Sequence, residues 1–333
     1  MKEKIREIVC KEYDNTLGIV AYKNNKKVYE EYFNGAYNDE AVHAFSITKS
    51  VVSILIGIAI DKGYIESVNQ KVLDFFPDFM LRRNQEQLKD VTIEHFLTMT
   101  VPYKYKYEPY KKVFTSQNWG EKVLEFIGGK QKIGEKFHYS TVGIQVLSNI
   151  LVRTTGVSLK EFAQKYLFDK LDIPNVPDVE IHDKESQLEF YHARNVRGWA
   201  KDPDGYYTTG WGLSLTTDEF AKIGLLCLNN GMYNGEKIVS ESYIKEMFTE
   251  REKNYGYMWW IYNKDEKIQI LRREYNTGKY DSYCANGVGG SLIAVIPEAQ
   301  VVICMTCSLV YNPKIRMELI NNYLLPYIDN IEV

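Results

Sequence analysis

Cysteine, histidine and proline are all scarce in this chain, with 5, 5 and 9 occurrences in 333 residues. The cysteines (Cys10, Cys227, Cys284, Cys304 and Cys307) are widely scattered. Only Cys304-Met305-Thr306-Cys307 is closely spaced, and it continues the strand-like run Val301-Val302-Ile303. No second ligand pair accompanies it and no thioredoxin-type helix start follows it, so buried strand cysteine is the reading. The histidines (His43, His95, His138, His182 and His192) never fall at metal-ligand spacing. Neither a metal nor a cofactor is therefore expected. Long basic runs are missing too: 41 Lys and Arg against 44 Asp and Glu leave a net charge of −3 spread along the chain, without support for nucleic-acid binding. The longest apolar run, Val51 to Ile60, is too short to span a bilayer. The charged start Met1-Lys2-Glu3-Lys4-Ile5-Arg6-Glu7 has no apolar secretory core. A cytoplasmic protein without a membrane partner is the expectation. No linker is rich enough in Pro, Gly or Ser to separate independent domains, and there is no internal repeat.

What is present is the balance of a folded enzyme, 45% hydrophobic and 26% charged. Leu17 to Ala21 and Lys27 to Phe33 read as two strands around the turn cluster Lys23-Asn24-Asn25-Lys26. A helix from Ser46 ends at Lys62-Gly63, a second starts at Thr92, and Val142 to Leu151 has helical spacing up to Thr155-Gly156. Ser158-Leu159-Lys160-Glu161 and Thr216-Thr217-Asp218-Glu219 are capping boxes. Tyr255 to Ile261, Ser291 to Val295 and Val301 to Ser308 read as strands, and Pro313 to Ile328 as a terminal helix. Strands at both ends with helices between them predict an α+β architecture: one antiparallel sheet built from both chain ends and flanked by helices, with a mostly helical lobe inserted. The boundaries expected are 1–65 plus 200–333 for the sheet-bearing lobe and 66–199 for the helical one.

Three segments carry chemistry. Ser46-Ile47-Thr48-Lys49 opens the apolar helix, and a serine three residues ahead of a lysine lies on the same helix face. At a buried helix start, desolvation and the positive end of the helix dipole both disfavour ammonium. A neutral amine beside a hydroxyl is the nucleophile-and-base pair of a covalent serine hydrolase. The second segment, Gly134-Glu135-Lys136-Phe137-His138-Tyr139-Ser140-Thr141, puts a tyrosine in a turn before a helix. Its phenol becomes a useful base where neighbouring cations favour phenolate, and Lys49 supplies part of such a field. The third, Ala285-Asn286-Gly287-Val288-Gly289-Gly290-Ser291, brings glycines to a strand start, where backbone N–H groups approach a ligand as an oxyanion hole requires. Taken singly, each also fits a bland reading: a capped helix, a packing tyrosine, a glycine turn.

In this order the three segments resemble the serine β-lactamase and penicillin-binding-protein superfamily, in particular its class C β-lactamase-like branch of esterases and amide hydrolases. The resemblance runs from Leu17 to Ser308 and includes Thr92 to Thr100, Phe162 to Phe168 and the long stretch Gly210 to Gly224. It implies a β-lactamase/transpeptidase-like fold with the active site between its two lobes. Ser46 is then the nucleophile, Lys49 assists its deprotonation, and Tyr139 matches the tyrosine that shuttles the proton. The backbone N–H groups of Ser46 and Val288 would form the oxyanion hole.

Two departures follow. Thr141 stands where the family has the asparagine of Tyr-x-Asn, and Ala285-Asn286-Gly287 stands where it has Lys-Thr-Gly or His-Thr-Gly. Losing that cation weakens a site for a substrate carboxylate. Thr141, Asn286, Gly287, Tyr103 and Trp211 are the substrate-binding residues expected, with Trp119 a further wall candidate. Tyr103, Tyr105, Tyr107 and Tyr110 read equally as a pocket-lining loop or as a surface strand with an aromatic face. The expected activity is hydrolysis of a small-molecule ester or amide through an acyl-enzyme on Ser46. The alternatives are a D-Ala-D-Ala carboxypeptidase or weak class C-like β-lactamase, and a non-catalytic ligand-binding relative. Oligomeric state is not legible in the chain.

Overall fold

The computed structural model describes residues 1–270 and 273–332. Its main sheet has six strands: β1 (Thr16–Lys23), β2 (Lys26–Tyr32), β3 (Trp260–Tyr262), β4 (Ser282–Asn286), β5 (Leu292–Ile296) and β6 (Val301–Cys307). They lie side by side in the order β2-β1-β6-β5-β4-β3, and every neighbouring pair is antiparallel. The β1–β6 pairing, from Gly18 opposite Thr306 to Lys23 opposite Val301, joins the two chain ends in mid-sheet. The fold is thus the α+β arrangement expected, with one antiparallel sheet built from both chain ends.

Side-chain alternation along these strands fills two cores. Ile19, Ala21, Ile303 and Met305 face α1 (Lys2–Glu12) and the C-terminal helical run, while Val20, Val302 and Cys304 face the helices of the opposite layer. Period two also explains the cysteines. Positions three apart on a strand point to opposite faces, and Cys304 and Cys307 are both buried and free. The opposite layer is built on α2 (Ile47–Asp61), α3 (Val146–Thr155) and α4 (Thr217–Leu228). One continuous apolar cluster extends from Val302 and α2 through Phe96 and Leu147 to Phe162.

A second, four-stranded sheet positions the site. Val42–His43 pairs with Leu213–Leu215, which pairs with Gly198–Lys201, and Asp178–Glu180 adds a parallel edge. The His43 ring accepts the Gly212 N–H at 2.9 Å, and the Ala44 N–H reaches the Leu213 carbonyl at 3.3 Å. These bonds pin the approach to α2 against Gly210-Trp211-Gly212.

Several elements depart from expectation. Tyr255 to Trp259 is not strand, because Tyr257 and Met258 send their N–H groups to the Met247 and Leu97 carbonyls and Met258 has φ 59°. Only Trp260–Tyr262 joins the sheet. The terminal helical run begins at Arg316, not Pro313, and the strand β4 already covers Ala285 and Asn286. The tyrosine-rich stretch after Thr100 is a loop, touching one strand-like bridge between Tyr103 and Ile127. Helix α1 was not legible, since Ile5 and Val9 are its only buried positions.

Candidate active site

Ser46 caps the start of α2, and thirteen of that helix's fifteen residues, Ile47 to Ala59, are buried. Phe45, just before it, has φ 49°, a left-handed conformation that costs an L-residue roughly 1–2 kcal/mol. Its ring is held there by His43 at 4.1 Å and Tyr191 at 5.3 Å. The backbone bonds of the helix start use the N–H groups of Ile47, Thr48 and Lys49, leaving the Ser46 N–H outside that ladder.

Lys49 is 1% exposed. Its Nζ lies 2.8 Å from Ser46 Oγ, 3.2 Å from Thr141 Oγ1 and 2.6 Å from the Gly210 carbonyl. Burial lowers its pKa to about 7, against the opposing pull of the Glu108 carboxylate. All three oxygens can accept from Nζ, and once the amine is neutral its two N–H groups suffice for Gly210 and Thr141 while its lone pair can accept the Ser46 O–H. Gly210 must be glycine for this approach, because a Cβ there would sit 2.4 Å from the Thr141 carbonyl.

The Tyr139 ring lies half-buried above this amine, its centroid 5.0 Å from Lys49 Nζ. Burial pushes the phenol up to about 12, and its hydrogen bond with Ser46 pulls in the other direction. The ring stacks on Trp260 at 6.0 Å and meets Tyr255 edge-on at 6.4 Å. The loop from Tyr103 to Pro109 clasps the segment behind it. Tyr105 Oη lies 2.7 Å from Ser140 Oγ, which itself accepts the Gly143 N–H at 2.8 Å. Glu108 accepts the N–H groups of Thr141 and Val142 at 2.9 and 2.8 Å, one on each carboxylate oxygen.

The third segment arrives from β4. Asn286 Nδ2 donates to Tyr262 Oη at 2.8 Å, and the turn Val288–Gly290 follows. Its internal bonds run from Gly287 N–H to Ser291 O and from Gly290 N–H to Gly287 O, which leaves the Val288 N–H outside them. A Cβ on Gly287 would lie 2.2 Å from the Ala44 carbonyl, so glycine is what lets this turn close against the entry to α2. Beneath the turn lies Arg316, 5% exposed, whose Nη2 bonds the Asn15 side chain and, at 3.4 Å, the Gly289 carbonyl. Its Nε and Nη1 have no hydrogen-bond partner among the described residues.

A cleft of about 640 Å³ contains Ser46, Tyr139, Asn286, Gly287 and Val288 along one wall, with Trp260 and Arg316 among its other lining residues. Lys49 and Thr141 lie behind Ser46. Tyr103 and Trp211 do not line this cleft. Tyr103 stacks on Tyr105 at 4.8 Å in the interior, and Trp211 packs on Trp119 at 6.5 Å and on Tyr191 at 5.2 Å. The aromatic wall is supplied instead by Tyr139, Trp260, Tyr262 and the exposed Tyr311. Glu108, Gly210, Trp260 and Arg316 were missed as site residues. Gly210 opened a recognised stretch; the others carry no local signal, being brought in by loop, strand and helix from distant parts of the chain. Among the described residues, no group of three or more His, Cys, Asp or Glu gathers as for a metal, and no helix is long and apolar enough to cross a membrane.

A sheet closed from both chain ends, with a Ser-x-x-Lys helix start, a tyrosine turn and a glycine-rich strand edge converging beside it, defines the penicillin-binding and serine β-lactamase class of architecture. The family model described as Beta-lactamase matches residues 6–325, and the chain belongs to that family. It is 24% identical over 264 residues to the 6-aminohexanoate-dimer hydrolase of Paenarthrobacter ureafaciens, covering 70% of this chain and 61% of that protein. Among solved structures, a putative 6-aminohexanoate-dimer hydrolase from Bacillus anthracis superposes with TM-score 0.70 at 18% identity, covering 97% of this chain and 81% of the other. A family VIII carboxylesterase superposes with TM-score 0.64 at 16% identity, covering 94% and 92%. At such identities these two likenesses concern the fold.

Proposed function

We propose that this protein is a serine hydrolase that cleaves a small ester or linear amide through an acyl-enzyme on Ser46. The observation that carries the reading is the buried Lys49 amine 2.8 Å from Ser46 Oγ, with its pKa lowered to about 7. In the acylation step the Ser46 proton passes to Lys49 Nζ while Oγ attacks the substrate carbonyl carbon. The N–H groups of Ser46 and Val288 stabilise the resulting oxyanion. The proton then travels through Tyr139 to the leaving oxygen or nitrogen as its bond to carbon breaks. Water repeats the cycle on the acyl-enzyme with the same groups. The names of the similar proteins, a 6-aminohexanoate-dimer hydrolase and a carboxylesterase, agree with a hydrolase.

A second reading has its own support. Arg316, a buried cation among the residues lining the cleft, has two nitrogens without a hydrogen-bond partner among the described residues, although Lys-Thr-Gly is missing. That favours a substrate with a carboxylate, as β-lactams and D-Ala-D-Ala peptides have.

Intact-mass labelling with a small fluorophosphonate, followed by peptide mapping, tests the assignment. The expected result is one adduct on Ser46, absent from Ser46→Ala, with a labelling rate that rises as pH passes through about 7 and Lys49 loses its proton. Folded wild-type protein that takes no label at any pH from 6 to 10 would make the cleft a binding site rather than a catalytic one. Acylation by penicillin in preference to a neutral ester would select the second reading.

A further inference from the structure

We infer that Glu108 is the positioning residue of this site: its carboxylate fastens the Tyr139–Val142 turn that presents Thr141 to Lys49 and Tyr139 to Ser46. This rests on the proposed serine–lysine chemistry. Both carboxylate oxygens are engaged, Oε1 with the Thr141 N–H at 2.9 Å and Oε2 with the Val142 N–H at 2.8 Å. These are orphan donors at the start of the helical segment that leads into α3, where negative charge is favoured. Among the described residues, Glu108 forms no ion pair, so its charge is not cancelled by a cation of its own. The same turn presents Thr141 Oγ1 to Lys49 at 3.2 Å and Tyr139 to Ser46. A shift of the turn therefore moves two of the groups around the reacting pair at once.

The electrostatics point the same way. The Glu108 charge raises the proton affinity of Lys49, offsetting part of what burial removes, and it raises that of Tyr139 and Tyr110. The groups around Lys49 are Ser46 from its own helix, Tyr139 and Thr141 from the turn and the Gly210 carbonyl from the segment ahead of the Leu213–Leu215 strand, with the Glu108 charge acting from the loop. Glu108 is the carboxylate among them. Burial is the larger influence on where the amine titrates, and Glu108 opposes it in part.

Two substitutions separate those roles. Glu108→Gln removes the charge and turns one accepting oxygen into an NH2 that cannot accept the second backbone N–H. Glu108→Asp keeps the charge but reaches one methylene less far. The readouts are fluorophosphonate labelling rate against pH and, independently of activity, the pH midpoint of the Lys49 Cε resonance in protein carrying 13C-labelled lysine, assigned with Lys49→Met. For Glu108→Gln, the Lys49 midpoint should fall by about one pH unit and the labelling plateau by about tenfold. For Glu108→Asp, the midpoint should stay near wild type while the plateau drops. A Gln variant with wild-type midpoint and plateau overturns the inference. If that variant does not fold, an Asp variant with the wild-type plateau overturns it. Failure of the serine-hydrolase reading is distinct: wild-type protein then takes no label on Ser46, while the Lys49 midpoint still reports on Glu108.

Discussion

Lys49 amine is charged in the folded protein only below about pH 7, whereas the unfolded chain keeps that proton to about 10.5. Between those values the unfolded state binds one more proton, so stability rises with pH across that window. The cost of holding the amine in an apolar interior is fully present below pH 7. Lys49→Met, which fills similar space without an amine, should therefore gain most over wild type at pH 6 to 7. Its advantage should shrink by up to about 1.4 kcal/mol per pH unit above that. Urea unfolding at pH 7 and pH 9 measures it, and a difference between the two proteins that is independent of pH would mean the lysine is protonated in the fold. The same residue was legible in the sequence, because an uncharged helix is an odd place for a surface lysine. Glu108 was not. Its importance depends on two backbone N–H groups more than thirty positions away, and no spacing rule anticipates such a contact.

The capping boxes at Ser158 and Thr216 form as the sequence indicated, with side chain and backbone bonds in both directions, because all four groups of the motif lie within one helical turn. The hairpins of the main sheet were readable for the same reason of short range. Elements whose backbone bonds go to distant partners were misread, as at Tyr255 to Trp259, where the Met247 and Leu97 carbonyls take N–H groups that a strand would need. The small sheet bears on the site because the segment leading into its Leu213–Leu215 strand carries Gly210, whose carbonyl meets Lys49. Gly210→Ala would put a Cβ 2.4 Å from the Thr141 carbonyl and 2.8 Å from its Cγ2. We expect it to push the turn from the amine, cost about 1–3 kcal/mol and slow Ser46 labelling at least tenfold. Thermal unfolding and labelling rate together check this; a variant labelling at the wild-type rate would show that the Gly210 carbonyl contact is dispensable.

Across the molecule as a whole, one apolar cluster runs without interruption from the face of the main sheet through α2 to the helices around Phe96, Leu147 and Phe162. The expected division into a sheet-bearing lobe and a helical lobe is a division of topology, and we propose that it is not one of stability. Shared burial couples the two regions, so near- and far-ultraviolet circular dichroism should report a single coincident thermal transition. Two separated transitions would mean that the helical region unfolds on its own.

Alternation along β1 and β6, the apolar run of α2 and the local caps were determined by the sequence alone, since each depends on residues within a turn or a strand of one another. So was the pairing of Ser46 with Lys49, three positions apart on one helix face. The surroundings of that pair were decided only in three dimensions. Trp260 and Arg316 reach the cleft from a strand and the terminal helix, while Glu108 and Gly210 meet the Thr141 backbone and Lys49 behind it, from a loop and from the segment ahead of a small-sheet strand. Tyr103 and Trp211, equally aromatic and equally close to recognised segments, are turned inward instead. Side chains of one chemical type become wall or core according to which distant backbone covers them, and that is a property of packing rather than of local pattern.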